Sequence, residues 1–458
     1  MKRMVIVFLL FGGPASAQSF PVDTLIRNGS PQEMINLVFL GDGYQIHEID
    51  KFKTDVLKLT DLIFSQTPFK QYKNYFNVYA IEVPSNESGA THLQLYKDSN
   101  LNCAQAPLTE VDTYFKSTFD NGGFHQLLIP NGLAIMEVIL SSFPLYDQIF
   151  MIVNTEVYGG SGGYVATSAL SVEAGWVSLH EIGHSFVGLA DEYWPGPQYA
   201  FERPNLTQEN RPSVVKWKNW IGINEIGIYE IPGSTGGWYR PHQNCMMQVP
   251  GFNFCSVCSE TIIEKIHFLT SPVLDYEPSP GMIELNGDLT LRLTTLDPIP
   301  NTLRVIWKLN DKTIGRNVRS ITIPLDKLND GYLKKIRAEV LDTTALTRSD
   351  SHAAGHLYLY EWTIDGIVTS VESQDIPFRV DLWPNPTLNR LHVEFKLRKP
   401  TDVSIQLIDA TGRILEEVKN RRFDEGKNDL ELTIKEPGMV YLNIYFDGAK
   451  TTAKIIRQ

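Results

Sequence analysis

Residues 177–193 read VSLHEIGHSFVGLADEY, and the spacing of the two histidines in this stretch decides how the rest of the chain is read. His180 and His184 are four positions apart. On a helix that spacing places both imidazoles on one face, about 5–6 Å apart at Cβ, so that both nitrogens can reach one zinc at about 2.0–2.1 Å. Val177, Leu179, Ile182, Phe186 and Val187 are apolar, which predicts a largely buried helix over 172–190. Two imidazoles and a carboxylate in a buried helix need partners, and a metal supplies them. Glu181 is rotated off the histidine pair and can face the open side of the ion as a general base. Gly188 predicts a left-handed helix end, and Asp191 and Glu192 follow at once. Asp191 is the expected third ligand and Glu192 the alternative; either could instead orient a histidine.

Outward from this helix, the region 31–270 alternates strand-like and helix-like runs. Ile35–Leu40 (INLVFL), Phe76–Val83 (FNVYAIEV) and Gln148–Val153 (QIFMIV) read as short buried strands, and Lys51–Phe64 has helical apolar spacing. The order predicts a mixed sheet with packed helices. After Pro272 the pattern changes to short alternating runs: Thr290–Leu293, Leu303–Leu309, Ser320–Ile323 and Ile336–Leu341. Another set follows at Leu391–Phe395, Val403–Ile408, Leu430–Ile434 and Val440–Tyr445. Each set reads as a β-sandwich. The expected fold is therefore multi-domain: an α/β (α+β) domain over 18–271 that carries the histidine helix, then β-sandwich domains over 272–372 (an Ig-like spacer) and 373–458.

Composition narrows the setting. The 458 residues carry a net charge of −12, which excludes a general nucleic-acid binder. Lys2 and Arg3, the apolar run Val5–Phe11 and Ala15-Ser16-Ala17 have the form of a signal peptide over residues 1–17. That run is too short to span a bilayer, and no other stretch is long and apolar enough to read as a transmembrane segment. Cys103, Cys245, Cys255 and Cys258 form an even set, for which export favours disulfides. A structural zinc held by His242, Cys245, Cys255 and Cys258 is the other reading of their spacing.

His180–Tyr193 (HEIGHSFVGLADEY) resembles the signature of the IgA-peptidase family of zinc metallopeptidases, a metzincin-like group. Val38–Tyr44 (VFLGDGY), Asn77–Ala80, Ser88-Gly89-Ala90, Asp112–Phe115 and Arg240–Met247 extend the resemblance over roughly 33–270. It implies endopeptidase activity with one catalytic Zn2+, and a Met-turn at Met246-Met247 beneath the metal. Gly188 stands four and Asp191 seven residues after His184, one further each than in the usual metzincin pattern. Larger members carry a β-domain ahead of the strand at Ile35, which this chain is expected to lack. Tyr193 and Tyr239 are candidate donors to a tetrahedral oxyanion, and Arg240 a candidate substrate contact. Trp383–Thr387, Leu391-His392-Val393, Gly438–Ile444 and the basic end Lys454–Arg457 resemble the C-terminal sorting domain of the type nine secretion system. The expectation is a monomeric, secreted or cell-surface zinc metalloendopeptidase. Its partners are a protein or peptide substrate and the secretion machinery. The rival expectation is a non-catalytic surface protein that binds glycan or matrix through its β-domains.

Overall fold

The computed structural model describes residues 18–93, 108–171, 173–364, 380–383, 387, 389–397, 399–409, 413–435, 438–446 and 449–457. The proposed signal peptide, Cys103 and Pro384–Pro386 lie outside them. The chain is a multi-domain mixed α/β protein with several separate sheets.

The first sheet has six strands: β1 (Val22–Ile26), β2 (Ile35–Asp42), β3 (Phe76–Ile81), β4 (Gln148–Val153), β5 (Gly160–Ser161) and β6 (Val165–Ser168). Their order is β1-β3-β2-β4-β6-β5. Strands β3, β2, β4 and β6 run parallel, and antiparallel β1 and β5 close the two edges. A parallel sheet is covered on both faces, which is why its strands are buried along their whole length and mostly apolar rather than alternating. Leu37, Phe39, Val78 and Ile152 point into one buried cluster, whereas Val38, Leu40, Tyr79 and Met151 point into another. Helices α1 (Ile49–Ser65), α3 (Ala174–Val187) and α4 (Ser256–Leu269) cover the first face, and α2 (Gly132–Ser142) covers the second.

Sequence periodicity located β2, β3, β4, α1 and α3 to within a few residues. It placed the first strand at Ile35, but β1 precedes it as an edge strand paired with β3. Two of the motifs quoted above meet in space. The Asp42 carboxylate is fully buried and accepts from the backbone N–H groups of Phe115 and Ser117 and from the Thr113 hydroxyl. Asp42 therefore ties the end of β2 to the loop over residues 112–117.

Residues 273–364 form a five-stranded sheet and a three-stranded sheet. Their alternating apolar residues, including Leu291, Trp307, Ala338 and Trp362, share one buried cluster. Residues 380–457 form a three-stranded and a four-stranded sheet around a separate cluster containing Val393, Ile405 and Leu442.

Polar contacts join these units. The buried Asp342 carboxylate accepts from Tyr72 Oη (2.5 Å) and Thr302 Oγ1 (2.6 Å) and lies 2.9 Å from His267 Nε2. Beside it, Glu264 on α4 pairs with His352 Nδ1 (2.6 Å) and His356 Nε2 (2.8 Å). Lys454 forms a buried ion pair with Asp147 at 3.1 Å.

The Glu264 pair sets a pH window. Burial acts to raise the Glu264 pKa, but His352 and His356 outweigh it and hold the carboxyl below its ordinary range. Burial acts to lower His352, but Glu264 outweighs it and holds the imidazole above its ordinary value. The carboxylate's contribution is present above its unfolded pKa of 4.5 and lost as pH falls towards the folded value. The imidazole's contribution is present below its unfolded pKa of 6.5 and lost as pH rises through the folded value. Glu264→Gln should therefore lower the thermal midpoint most between pH 4.5 and 6.5, and less on either side. Melting curves across pH 3–9 check this; a deficit independent of pH would show that charge pairing is not what the seam contributes.

Candidate metal centre

Helix α3 ends where its sequence turns glycine-rich. Gly188 adopts φ +69°, and its N–H bonds back to the carbonyls of Gly183 and His184. This left-handed turn swings the chain back under the helix. The Asp191 carboxylate then lies 3.0 Å from His180 Nε2 and 3.3 Å from His184 Nε2, while the two Nε2 atoms are 3.1 Å apart. The one-residue offset from the usual spacing is thus taken up at the helix end, and Asp191 joins the histidine pair.

The other ring nitrogens define the chemistry of this group. His180 Nδ1 lies 2.9 Å from the Met246 carbonyl, and His184 Nδ1 lies 2.8 Å from the Leu189 carbonyl. A carbonyl only accepts, so each Nδ1 carries the proton. In a neutral imidazole the facing Nε2 is then a bare lone pair. Two such lone pairs and a carboxylate oxygen within about 3 Å repel one another unless a cation lies among them, and this donor set suits a divalent ion such as zinc. Protons show the same demand: burial pulls His184 down, yet Asp191 more than offsets it and holds the imidazole up to about 9. Burial acts to raise Asp191 itself, but the two histidines hold it well below the usual carboxylate range.

Glu181 stands beside the group, and burial raises its carboxyl above the usual range, against the opposing pull of the two imidazoles. The β5–β6 hairpin closes over it. A Cβ added at Gly162 would meet Glu181 Oε2 at 2.0 Å and His184 Cδ2 at 3.5 Å.

Glu192 faces away from this centre. It is fully buried, with Oε1 accepting from Asn205 Nδ2 (3.0 Å) and lying 3.3 Å from Cys258 Sγ. Burial pushes its carboxyl well up. Its N–H donates to the Met247 carbonyl at 2.7 Å. Met246 and Met247 are fully buried, and the Met247 sulfur lies against Gly183, where a Cβ would be 2.4 Å away. Tyr193 is half-exposed beside Asp191; burial first, and then the Asp191 charge, raises its phenol. Tyr239 lies farther along, its backbone paired with Thr207 and its hydroxyl 3.5 Å from Asn210 Nδ2. Arg240 is buried and donates to the Glu192 carbonyl, so its guanidinium serves the loop rather than an open surface.

The cysteines depart from expectation. Cys245, Cys255 and Cys258 are free thiols, and Cys245 Sγ and Cys258 Sγ are 3.7 Å apart, far from the ~2.05 Å of a disulfide. Among the described residues three sulfurs converge, and no pairing among these three satisfies all of them. His242 is not among them; its Nδ1 accepts from the Asn244 N–H at 2.9 Å, and Glu192 stands beside the thiols instead.

Asn205 has a role its sequence did not disclose. In the run Asn205-Leu206-Thr207 it reads as a glycosylation sequon without evident meaning. In the fold it is fully buried, accepts from the Ala190 N–H (2.8 Å) and donates to the Ala190 carbonyl (2.8 Å) and the Glu192 carboxylate. It grips the residues on both sides of Asp191. Gly162 likewise gave no signal beyond lying in a glycine-rich loop.

The family comparison agrees with this geometry: residues 24–232 match the family model described as IgA Peptidase M64. That segment is similar to the M64 family. The match supports a peptidase, and it ends before the methionine turn and the three thiols. Residues 381–458 match a secretion system C-terminal sorting domain, so the chain is exported, to the cell surface or the medium. Among the described residues no helix is long and apolar enough to cross a membrane.

No curated protein matches the chain. Solved structures with some similarity include dimeric latent PorU from Porphyromonas gingivalis, at 10% identity and TM-score 0.18, covering 41% of this chain and 20% of that one. A β-glucuronidase from Parabacteroides merdae has 9% identity and TM-score 0.16, with 48% and 28% covered. Red sea bream transglutaminase has 11% identity and TM-score 0.17, with 51% and 41% covered. The chain thus spans well under half of each, and likenesses this slight carry no argument.

Because an alanine at Gly162 would displace the Glu181 carboxylate and leave the three candidate ligands in place, Gly162→Ala should lower cleavage without lowering metal content. Cleavage of an unfolded protein should fall about a hundredfold, with metal content unchanged by elemental analysis. Full activity in this variant would show that Glu181 tolerates displacement.

Proposed function

We propose that the chain is a secreted zinc-dependent metalloendopeptidase whose ion is held by His180, His184 and Asp191. The observation that carries this reading is the convergence of two Nδ1-protonated imidazoles and one carboxylate on a single point, beside a fourth group, Glu181, that makes no bond to them. These three residues would hold the ion, and a set of three protein ligands is the pattern of catalytic rather than structural zinc. An ion bound there supplies Lewis-acid polarisation of the scissile carbonyl and acidifies water.

The chain's own residues do the rest. Glu181, kept basic by burial, takes the proton from the attacking water and passes it to the leaving amine. Asp191 neutralises part of the ion's charge and keeps the histidines in register. Tyr193, half-exposed beside Asp191, is read as the donor to the oxyanion. Met246 and Met247 are read as a Met-turn under a metzincin-like centre. Residues 18–271 are read as the catalytic domain, 272–372 as an Ig-like β-sandwich spacer, and 373–458 as the β-sandwich sorting domain, the latter two supported by paired sheets around single clusters.

Two variants test this reading. Glu181→Ala should retain zinc and lose about 10²–10⁴ in kcat on unfolded casein; undiminished turnover would remove Glu181 from the mechanism. His184→Ala should lose the catalytic ion, and with it chelator-sensitive cleavage. Normal cleavage by this variant would refute the ligand set.

A further inference from the structure

We propose that Glu192, Cys245, Cys255 and Cys258 form a second metal site, a closed structural one that takes zinc. Four observations support it, and none depends on the catalytic reading. The four side chains are buried, and their ligand atoms lie within 4.8 Å of one another. Ligands around a tetrahedral zinc at about 2.3 Å are separated by about 3.7 Å; Cys245 Sγ and Cys258 Sγ are 3.7 Å apart, and Cys258 Sγ is 3.3 Å from Glu192 Oε1. Glu192 Oε2 is buried with no hydrogen-bond partner among the described residues. Such an orphaned carboxylate oxygen is costly unless something positive meets it.

The local backbone suits thiolates. Cys255 is the N-cap of α4 and Cys258 lies in its first turn, where the helix end favours negative charge. The Cys255 N–H donates to Cys245 Sγ at 3.4 Å. Arg240, buried and bonded to the Glu192 carbonyl, adds a positive charge next to the site. A disulfide would join two of the three sulfurs and strand the third beside an unpaired carboxylate. A soft, four-coordinate ion satisfies all four groups at once.

The position gives this site a purpose. Glu192 directly follows Asp191, and Cys245 directly precedes Met246, whose carbonyl fixes the His180 ring. An ion joining Glu192 to Cys245 therefore clamps the loop carrying one wall of the catalytic centre to the turn that carries its floor. With four protein ligands it has no open position and takes no part in the reaction.

The test uses the full mature chain and counts metal by elemental analysis. Wild type should hold about two zinc ions and His184→Ala about one. After cobalt(II) exchange, His184→Ala should show sulfur-to-cobalt charge-transfer absorption, and Cys255→Ser/Cys258→Ser should lack it. A histidine–carboxylate centre cannot produce that band, so failure of this site and failure of the catalytic reading are distinguishable. Should the double cysteine variant not fold, wild type is titrated with p-hydroxymercuribenzoate in the presence of a metallochromic dye. Zinc release in step with thiol modification supports the site. Modification without release, no charge-transfer band in His184→Ala, or a disulfide among these three cysteines in non-reducing mass spectrometry overturns it.

Discussion

Two backbone carbonyls, those of Leu189 and Met246, decide what the histidine pair can do. By accepting from the Nδ1 positions they put both protons on the far side of the rings and leave two lone pairs facing one point. The histidine tautomers are therefore set by the fold and not by whatever occupies the centre. The rest of the architecture can be understood as what holds those two carbonyls still. Leu189 is fixed by the helix end, its N–H bonding back to the Gly183 carbonyl. Met246 is fixed by a tight turn in which Gln248 and Val249 both donate to the Cys245 carbonyl, and by its own N–H bonding to Asn253.

Both supports are irregular backbone, which has no ladder of its own to satisfy its polar groups. Side chains distant in sequence do that work. Asn205 bonds both polar groups of Ala190, Arg240 meets the Glu192 carbonyl, and the Glu192 N–H reaches Met247. Leu189, Met246, Met247, Phe254 and Cys255 all belong to the main buried cluster, so loop and turn share the core beneath α3. The geometry that brings Asp191 to the histidines thus comes from contacts across many tens of residues, although the motif itself occupies a single helical turn.

That division explains what the sequence could and could not disclose. The helix carrying His180 and His184 was legible because its signal is local: apolar periodicity, a four-residue repeat and a glycine stop. The parallel strands β2, β3 and β4 were legible because burial on both faces leaves largely apolar runs, whereas β6, Val165–Ser168, carries Thr167 and Ser168 and gave no such run. Strand β1 was missed because it lies half-buried at an edge and shows no alternation. Helix α4 was missed because its buried face includes Cys258, Ser259 and His267, which apolar periodicity does not count. Asp191 and Glu192 could not be told apart because adjacent residues leave an irregular backbone in opposite directions, and only the tertiary environment says which direction meets the histidines. The preference for disulfides over a structural metal among the cysteines has a similar limit. It weighs the compartment and cannot register a third sulfur and a carboxylate converging on the same spot.

Helix α4 is where these separate constraints meet. Its first turn presents Cys255 and Cys258 to the underside of the metal centre. Its apolar face, with Ile262, Ile263 and Ile266, fills the core below α3. Farther along, Glu264 and His267 bind His352, His356 and Asp342 of the following β unit, and Phe268 packs edge-on against Tyr441 of the sorting domain. One helix therefore ties the floor of the centre to both β units. The seam with residues 273–364 and the turn that orients His180 are thus both in contact with α4, the first through Glu264 and His267 and the second through Cys255. In this chain the β units are mechanically part of what keeps the two histidines aligned, and the boundary between scaffold and site runs along the length of a single helix.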